Sequence, residues 1–304
     1  MLTATSARAN CTDPAGSTVT CSDSVTQPQI FRTFGQSVLI KKDTRFITSG
    51  GDGAVFFASP GATFLNDGNI SSDGDGVDFF STNNSSFVNN GSIISSGPHA
   101  HAINLAEVEN SKVVNMGELN TYAVGGNGIH LSAVYDSSVT NNGYITTLGA
   151  VADGINAEFS SGNQIKNNGN ITVYGNGSNG ISTGTNIKDI TIQNLDNGVI
   201  YAPNGTGISV TNAAVINTLH NSGVIDGGEA GLYLGGAQAK TLVNTGTIIG
   251  SSNGSAVILA DNSTVNQFSN QGIIAALAGD AIQISGNSTV ASGINNEGII
   301  IGRI

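Results

Sequence analysis

The acidic stretch from Asp73 to Asp78 is the densest group of side chains in this sequence that could hold a ligand. It reads Asp-Gly-Asp-Gly-Val-Asp, and Asp52 lies one sequence repeat before Asp75. Calcium is bound by several carboxylate oxygens at close range, so a calcium loop is one interpretation. The nine-residue repeat of calcium-binding β-rolls is absent from the sequence, which weakens that interpretation.

The competing interpretation is a column of turn residues, one in each repeat. Asp, Asn or His stands just before the Gly or Ala that begins an apolar run, at Asp52, Asp75, His101, Asn127, Asp153, Asn179 and Asp280. Asp and Asn favour turns because their side chains bond to nearby backbone groups. We therefore expect a turn ladder at this position, and we predict no metal site, no cofactor and no catalytic residue.

Three histidines are further candidates for metal binding or proton transfer: His99, His101 and His130. His130 stands at the outward position of an alternating run, in line with Asp78 and Asn104 of the preceding repeats. That alignment indicates a polar outer surface, and we interpret His130 as part of it.

An enzymatic function is the alternative to a binding function. β-Helical enzymes that act on polysaccharides, such as pectate lyases and polygalacturonases, need clustered Asp with Lys or Arg on neighbouring coils. Here the lysines are scattered about one per repeat, and the repeat lengths are too even for long loops that would wall an active-site groove. No P-loop is present. We predict no enzymatic activity and keep a carbohydrate-active β-helix of the lyase, hydrolase or tailspike type as the alternative.

Two cysteines, Cys11 and Cys21, enclose a loop that contains Asp13-Pro14 and Ala15-Gly16. These residue pairs favour a chain reversal that brings the two sulfurs together. The spacing differs from that of CxxC metal and redox motifs. We predict a disulfide, which is typical of an oxidising compartment, in preference to two unpaired thiols.

All of these residues are positioned by a repeat, N-x-G-x-I, that recurs along almost the whole chain. Its glycines are Gly68, Gly91, Gly117, Gly143, Gly169, Gly198, Gly223, Gly246, Gly272 and Gly298. Their spacing is most often 26 residues, and such a period is the signature of a solenoid. A second motif, exemplified by Gly128-Ile129-His130-Leu131, keeps the same period out of phase with the first.

Each period contains three short apolar runs, such as 128–131, 138–141 and 144–148. Alternate residues are apolar, which predicts strands, and the Gly frequency disfavours long helices. Three strands per turn predict a right-handed parallel β-helix of about ten coils over residues 50–304. Residues 10–49 follow the repeat poorly, and we expect them to cap the first coil, since an open strand edge recruits other chains.

The Asn and the Gly of the repeat have separate predicted roles. Stacked Asn side chains form a ladder of amide hydrogen bonds between coils. Gly adopts positive φ where the chain turns a corner. The coil around Asp196-Asn197-Gly198 is longer than the others, so the interval Asn194–Gly205 is predicted to hold a bulge or loop and is a place to look for function.

Composition narrows the classes of partner. The formal net charge is -11, with 10 Lys+Arg against 21 Asp+Glu. Nucleic-acid binders and proteins that bind anionic membranes present basic surfaces, so both classes are disfavoured. The sequence contains no apolar run long enough for a transmembrane helix. Ala7-Arg8-Ala9 is the kind of site that signal peptidase cuts, and we interpret residues 1–9 as a signal-peptide remnant.

An acidic β-helix rich in Asn, Gly, Ser and Thr, with N-x-G-x-I repeats after a signal-peptide tail and a small Cys loop, resembles the passenger region of a Gram-negative autotransporter. The resemblance covers residues 10–304 by style of repeat and is not specific to one member. It implies export by the Sec route, translocation through a C-terminal outer-membrane barrel, and location at the cell surface or in the medium. Many such passengers act as adhesins, self-association factors or virulence factors.

The chain stops in mid-repeat at Ile299-Ile300-Ile301-Gly302-Arg303-Ile304, and we expect it to be a fragment that lacks the barrel. The predicted function is adhesion or self-association without catalysis, as a secreted or surface-exposed rod. The predicted partner is a host glycan, a matrix protein or another copy of the chain, with no nucleic acid and no direct membrane insertion.

Overall fold

Short strands form wherever apolar and polar residues alternate, because successive side chains of a strand point to opposite faces. The computed structural model describes residues 11–12 and 17–304, and this part of the chain contains 36 strands and no helix. Accordingly, it contains no helix that could span a membrane.

The strands of the first four coils are β1 (Thr18–Cys21), β2 (Ser24–Val25), β3 (Gln29–Phe31), β4 (Ser37–Ile40), β5 (Arg45–Thr48), β6 (Ala54–Phe57), β7 (Thr63–Asn66), β8 (Asn69–Ser72), β9 (Val77–Phe80), β10 (Ser86–Asn89), β11 (Ser92–Ser95) and β12 (Ile103–Ala106). Those of the next four are β13 (Lys112–Asn115), β14 (Glu118–Thr121), β15 (Ile129–Ser132), β16 (Ser138–Asn141), β17 (Tyr144–Thr147), β18 (Ile155–Glu158), β19 (Gln164–Asn167), β20 (Asn170–Val173), β21 (Ile181–Thr183), β22 (Ile190–Asn194), β23 (Val199–Ala202) and β24 (Thr206–Thr211). The remainder are β25 (Val215–Asn221), β26 (Val224–Gly227), β27 (Ala230–Gly235), β28 (Gln238–Asn244), β29 (Thr247–Gly250), β30 (Ser255–Ala260), β31 (Thr264–Asn270), β32 (Ile273–Asp280), β33 (Ile282–Ile284), β34 (Thr289–Val290), β35 (Ile294–Asn296) and β36 (Ile299–Arg303).

The strands form a right-handed parallel β-solenoid, as the repeat predicts. Each strand from β1 to β31 pairs in parallel with the strand three places further along the chain, which produces three sheets; at the C-terminal end β31 also pairs with β35, and β32 pairs with β36. Sheet A begins β1-β4-β7 and has 13 strands, sheet B begins β2-β5-β8 and has 12, and sheet C begins β3-β6-β9 and has 11. Because the strands of one coil belong to three different sheets, residues one period apart in sequence lie on top of one another.

The segment that the sequence assigns to an N-terminal cap is built into these sheets. Strands β1, β2 and β3 pair with β4, β5 and β6, which pair in turn with the coils that carry the N-x-G-x-I repeat. The solenoid therefore has eleven complete coils, one more than the repeat count suggests. The predicted signal-peptide remnant, residues 1–9, lies outside the described residues.

The core consists of side chains stacked in columns. The Ile of the N-x-G-x-I motif forms one such column in sheet B, at Ile70, Ile93, Leu119, Ile145, Ile171, Ile200, Ile225, Ile248 and Ile274, all of them buried. Near the N-terminus the core is aromatic, and the Phe56 ring stacks on Phe31 and Phe79 at 4.9 and 4.7 Å between centroids. Apolar burial along these columns is the main driving force for adding one coil to the next.

The predicted asparagine ladder is confirmed, and it is continuous. Each Nδ2 donates to the Oδ1 of the next Asn at 2.7–2.9 Å, through Asn66, Asn89, Asn115, Asn141, Asn167, Asn194, Asn221, Asn244, Asn270 and Asn296. The side chains from Asn66 to Asn270 are buried inside the solenoid, where an unpaired amide would be costly. Stacking supplies both a donor and an acceptor for every interior member of the ladder.

The predicted reason for the motif glycine is wrong. None of the ten motif glycines has positive φ, which is found at other corners, such as Gly125 and Gly162. In eight of the ten, an added Cβ would lie only 1.9–2.2 Å from the carbonyl oxygen of the equivalent Gly one coil earlier, as at Gly143 above Gly117. Atoms that are not bonded cannot approach so closely. Glycine is required because adjacent backbones approach too closely for any side chain.

The longer coil around Asn194–Gly205 behaves partly as predicted. A turn is present at Asp196 and Asn197, whereas the register shift in the pairing of β22 with β25 lies between Ile190 and Thr191, before this interval. Asn194, four residues before Gly198 instead of two, still joins the ladder and donates to Gly198 O at 3.1 Å. The extra residues lie between the ladder residue Asn194 and the motif glycine Gly198. The interval adds no separate domain or long loop to the solenoid.

The predicted disulfide between Cys11 and Cys21 is present. Cys21 is buried at the first coil, and Cys11 packs against the same core. The bond therefore ties the chain that precedes β1 to the end of the solenoid.

Candidate functional site

One polar column runs along the outer face of sheet C and contains the predicted outward residues. Its members, called here the outer column, are Asp78, Asn104, His130, Asn156 and Ser182, which are register partners on β9, β12, β15, β18 and β21. Asn104 Nδ2 donates to Asp78 Oδ1 at 2.9 Å, and Asn156 Nδ2 donates to Ser182 Oγ at 2.7 Å. His130 Nδ1 lies 3.0 Å from Asn104 Oδ1, and because the Asn104 amide donates to Asp78, His130 is the donor here.

A second column lies at the corner between sheets B and C and corresponds to the predicted turn ladder. This corner column consists of Asp52, Asp75, His101, Asn127, Asp153 and Asn179. The side chain of every member before Asn179 accepts the backbone N–H of the member one coil later, at 2.6–3.0 Å. His101 accepts through Nδ1, so its ring proton is on Nε2. The turn-ladder interpretation is confirmed, and His101 replaces a carboxylate in it without loss of the hydrogen bond.

The two columns meet, which joins candidates that are separate in the sequence. The rings of His101 and His130 stack with their centroids 4.4 Å apart. One coil later the Ser182 hydroxyl donates to Asp153 Oδ2, and Asn156 Nδ2 donates to the same oxygen at 3.3 Å. Asp75, Asp78 and both histidines therefore belong to one strip of carboxyl, amide and imidazole groups.

Burial dominates the electrostatics of this strip. It raises the pKa of Asp75 to about 7, an effect that the His101 N–H opposes and the charges of Asp78 and Asp52 reinforce. Burial also raises the pKa of Asp78 to about 6, with Asp52 contributing in the same direction. The pKa of Asp153 is raised by burial as well, against the hydrogen bonds that it accepts.

The histidines shift in the opposite direction. Burial, with His130 and His99 nearby, lowers the pKa of His101 to about 3, so its ring is neutral at pH 7. Burial also lowers the pKa of His130, although Glu158, whose Oε1 lies 3.4 Å from Nε2, favours the charged ring. Both effects suit a structural role, since neutral imidazoles stack without repulsion.

The geometry does not favour a cation in this strip. Within the described residues, no group of three or more His, Cys, Asp or Glu side chains is placed to hold a metal ion. The oxygens of the Asp73–Asp78 stretch are engaged elsewhere. Asp73 accepts Gly50 N–H at 3.0 Å and the Ser96 hydroxyl at 3.2 Å, while Asp75 accepts the His101 N–H.

Sequence reasoning missed Glu158 and Ser182 as members of the strip. Glu158 ends β18 directly above Ser132, so its side chain reaches His130 from the next coil. Ser182 occupies the same outward position in its coil as His130 does in its own. Its contact with Asp153, however, joins the outer column to the corner column. The period identifies the outward position, and the contact between columns requires the folded corner.

Because the pKa values of the carboxyl groups and of the histidines shift in opposite directions, the stability of the fold depends on pH, and this dependence can be measured. A raised carboxyl pKa means that the folded state binds more protons than the unfolded chain, so stability falls as pH rises from about 4 through about 7. The depressed pKa of His101 acts in the reverse sense, and its contribution is lost as pH falls from about 6.5 towards 3. The two effects partly cancel in the native protein.

Asp75→Asn is expected to remove the carboxyl contribution and expose the histidine contribution. Its stability relative to wild type should increase by roughly 1–2 kcal/mol between pH 4 and pH 7, as measured by urea unfolding at each pH. Asp67→Asn, on an exposed corner, is the control, and its stability relative to wild type should be the same at pH 4 and at pH 7. A constant difference between Asp75→Asn and wild type would contradict the assignment.

A different surface is presented by sheet B in four consecutive coils. Four of the six tyrosines of the chain lie there, Tyr122, Tyr144, Tyr174 and Tyr201, and we call this surface the tyrosine face. They are 50%, 57%, 48% and 37% exposed. Between them stand small polar residues on the same outer face, Asn120, Thr146, Asn170 and Thr172.

Lysine and arginine are absent from the outer column, the corner column and the tyrosine face. Elsewhere, Lys240 pairs with Asp189 at 3.2 Å and Arg303 with Asp280 at 2.8 Å, and the Arg32 guanidinium lies over the Phe57 ring at 5.0 Å. The strip on sheet C therefore differs from the Asp-with-Lys/Arg arrangement that the enzymatic alternative requires.

Comparison with known proteins adds little to this description. No protein-family model matches the chain, and no curated protein matches it. Among solved structures, a family 28 exopolygalacturonase of Yersinia enterocolitica is similar at 9% sequence identity, over 91% of this chain and 72% of that chain, with a TM-score of 0.21.

Proposed function

We propose that the protein is a non-catalytic binding rod that acts in adhesion or self-association. The observation that carries this proposal is the tyrosine face, an open surface on which aromatic rings alternate with amides and hydroxyls. Exposed tyrosines provide large, rigid contact surfaces at low entropic cost. A rod of stacked coils also repeats weak contacts along its length, so that their effects accumulate.

The hydrogen bonding of the polar strip supports a structural role for its titratable groups. Asp52, Asp75, His101 and Asp153 each accept a backbone N–H from the following coil. A group that holds the backbone in this way is constrained from moving towards a substrate. We therefore interpret the strip as a part of the scaffold.

We further propose a location outside the cytoplasm, at the surface of a Gram-negative bacterium or in its surroundings, as for an autotransporter passenger. The Cys11–Cys21 disulfide supports this proposal, because such bonds persist in oxidising compartments. The acidic balance of the chain, with a formal net charge of -11, supports a partner other than nucleic acid.

One observation favours carbohydrate cleavage as a second candidate function. Asp75 and Asp78 lie on an outward-facing strip, and their raised pKa values would let either carboxyl carry a proton near neutral pH, as a general acid must. Glycoside hydrolysis uses two such carboxyl groups. This candidate predicts that both aspartates are needed for activity.

Two assays separate the candidates. Bacteria that display the protein are expected to aggregate, or to adhere to surfaces coated with glycan or matrix protein, and purified protein should release no reducing ends from neutral or acidic polysaccharides. Asp78→Asn should leave the adhesion unchanged. If the wild type releases reducing ends and Asp75→Asn and Asp78→Asn do not, the enzymatic candidate replaces the binding function.

A further inference from the structure

The tyrosine face is built from regular rows of side chains, one row from each coil. Alternate residues of a strand share a face, so β14 and the residue after it present Glu118, Asn120 and Tyr122. The next coil presents Tyr144, Thr146 and Leu148, and the one after it Asn170, Thr172 and Tyr174. The fourth coil adds Val199 and Tyr201.

One column of this face alternates between aromatic and aliphatic side chains. Tyr122, Leu148 and Tyr174 each follow the last residue of their strand, and the N–H of Leu148 and of Tyr174 bonds to the end of the preceding strand at 3.0 and 2.9 Å. Coils are spaced by roughly 4.8 Å, so the two tyrosines lie about 10 Å apart with Leu148 between them. All three side chains are exposed by 44% or more.

We propose that the tyrosine face binds an uncharged polysaccharide, with sugar rings stacked on Tyr122 and Tyr174. The separation of the two rings is of the order of a disaccharide unit, so alternate sugars of an extended chain meet a tyrosine. The amides of Asn120 and Asn170 and the Thr172 hydroxyl lie in neighbouring positions of the same face, where they meet the hydroxyls of the sugar. This inference deepens the proposed binding function and rests on it.

Charge selects an uncharged ligand. Among the outward residues of the four coils that form the tyrosine face, Glu118 is the one side chain with a carboxylate or an ammonium group. The coil after them adds Asp226 beside Tyr201. With a net charge of -11 on the chain, an anionic polysaccharide or a nucleic acid would be repelled.

Shape favours a polymer over a small molecule. The tyrosine face extends over four stacked coils without a protruding strand, so an extended chain crosses several rows at once. Small-ligand sites are concave and enclose most of the ligand, which an open sheet face does not. An extended ligand gathers weak stacking contacts from several coils.

Affinity electrophoresis of the purified full chain tests the proposal. Gels containing a soluble neutral glucan, galactan, mannan or xylan are compared with gels containing polygalacturonate or heparin. At least one neutral polysaccharide is expected to retard the protein, and the Tyr122→Ala/Tyr174→Ala double variant should bind it about tenfold or more weakly. Tyr122→Phe/Tyr174→Phe should keep most of the binding, because the ring supplies the stacking surface.

The matched control is Tyr135→Ala. Tyr135 is 43% exposed, comparable with the tyrosines of the face, but it lies in the corner between sheets C and A. This variant should bind like the wild type, and circular dichroism should show that all variants keep the β-solenoid. Equal loss of binding in Tyr135→Ala would overturn the assignment of the site.

The outcomes for the site and for the binding function are distinct. Retardation by acidic polysaccharides alone, or neutral binding that survives the double substitution, refutes the tyrosine site. If displayed protein still aggregates cells and the double variant abolishes that aggregation without any glycan retardation, the tyrosine face binds a second copy and the glycan proposal fails while the binding function stands. Absence of retardation, adhesion and aggregation together refutes both.

Discussion

Replacing Gly143 with alanine is expected to destabilise the solenoid by about 3 kcal/mol or more. The new Cβ would lie against the backbone of Gly117 and Met116 in the coil before it, and no change of side-chain rotamer relieves a clash with backbone. Overpacking in cores commonly costs about 1–3 kcal/mol even where side chains can adjust. Thermal melting followed by circular dichroism, together with hydrogen exchange of β14, β17 and β20, measures the effect.

Gly51→Ala is the control for this substitution. Gly51 has no positive φ, and its added Cβ would meet Pro28 Cγ at 3.5 Å, an ordinary contact. Its effect should stay within about 0.5 kcal/mol. Repeat arrays can unfold in parts, so hydrogen exchange must show whether the loss of protection is centred on the substituted coil. Unchanged protection of the coils next to Gly143→Ala would show that the backbones do not stack as closely as described.

Replacing Asn141 with alanine is expected to cost about 2–4 kcal/mol, because it interrupts the ladder at both sides. Asn115 Nδ2 loses its acceptor, and Asn167 Oδ1 loses its donor, in a position where neither reaches water. Asn141→Asp should be more harmful at pH 7 than at pH 4, since a buried carboxylate cannot donate to Asn167 and its ionisation is opposed by burial. Denaturant unfolding at both pH values measures these effects.

The neighbouring residue provides a matched control. Asn142 has the same side chain and lies one position further, but it faces outwards, where its Nδ2 donates to Met116 Sδ at 3.3 Å and its Oδ1 accepts a long hydrogen bond of 3.4 Å from Asn168 Nδ2. Asn142→Ala should change the stability by no more than about 0.5 kcal/mol. If the two alanine variants were equally stable, the ladder would contribute nothing beyond the helical stacking of the backbone.

The sequence was informative about architecture because a solenoid translates sequence period into spatial stacking. Once residues one period apart are known to lie over one another, Asn141 must meet Asn115 and Asn167, and Asp75 must meet His101. The alternation of apolar residues likewise assigns Ile145 to the core. Such inferences require only the period and the two-residue repeat of a strand.

The physical role of the motif glycine could not be predicted from the period. A glycine at a corner suggests positive φ, but the constraint on Gly143 is the closeness of Gly117 in the adjacent coil. That distance depends on how the corner backbone is directed, which residue types do not reveal. The prediction that residues 10–49 only cap the solenoid missed their strands for a related reason. Thr18–Cys21 and Ser37–Ile40 pair in register although they lack the motif.

By itself, then, the sequence determined the parallel solenoid, its asparagine ladder and its turn ladder, which follow from spacing along one axis, and its disulfide, which follows from the turn-forming residues between the two cysteines. Only the tertiary structure decided which columns lie side by side around that axis. It placed His130 against His101, and it gathered Tyr144 onto the same face as Tyr122 and Tyr174, although Tyr144 does not lie a whole number of periods from either. The physical reason is that the period specifies what lies above and below a residue, whereas its lateral neighbours depend on the path of each corner.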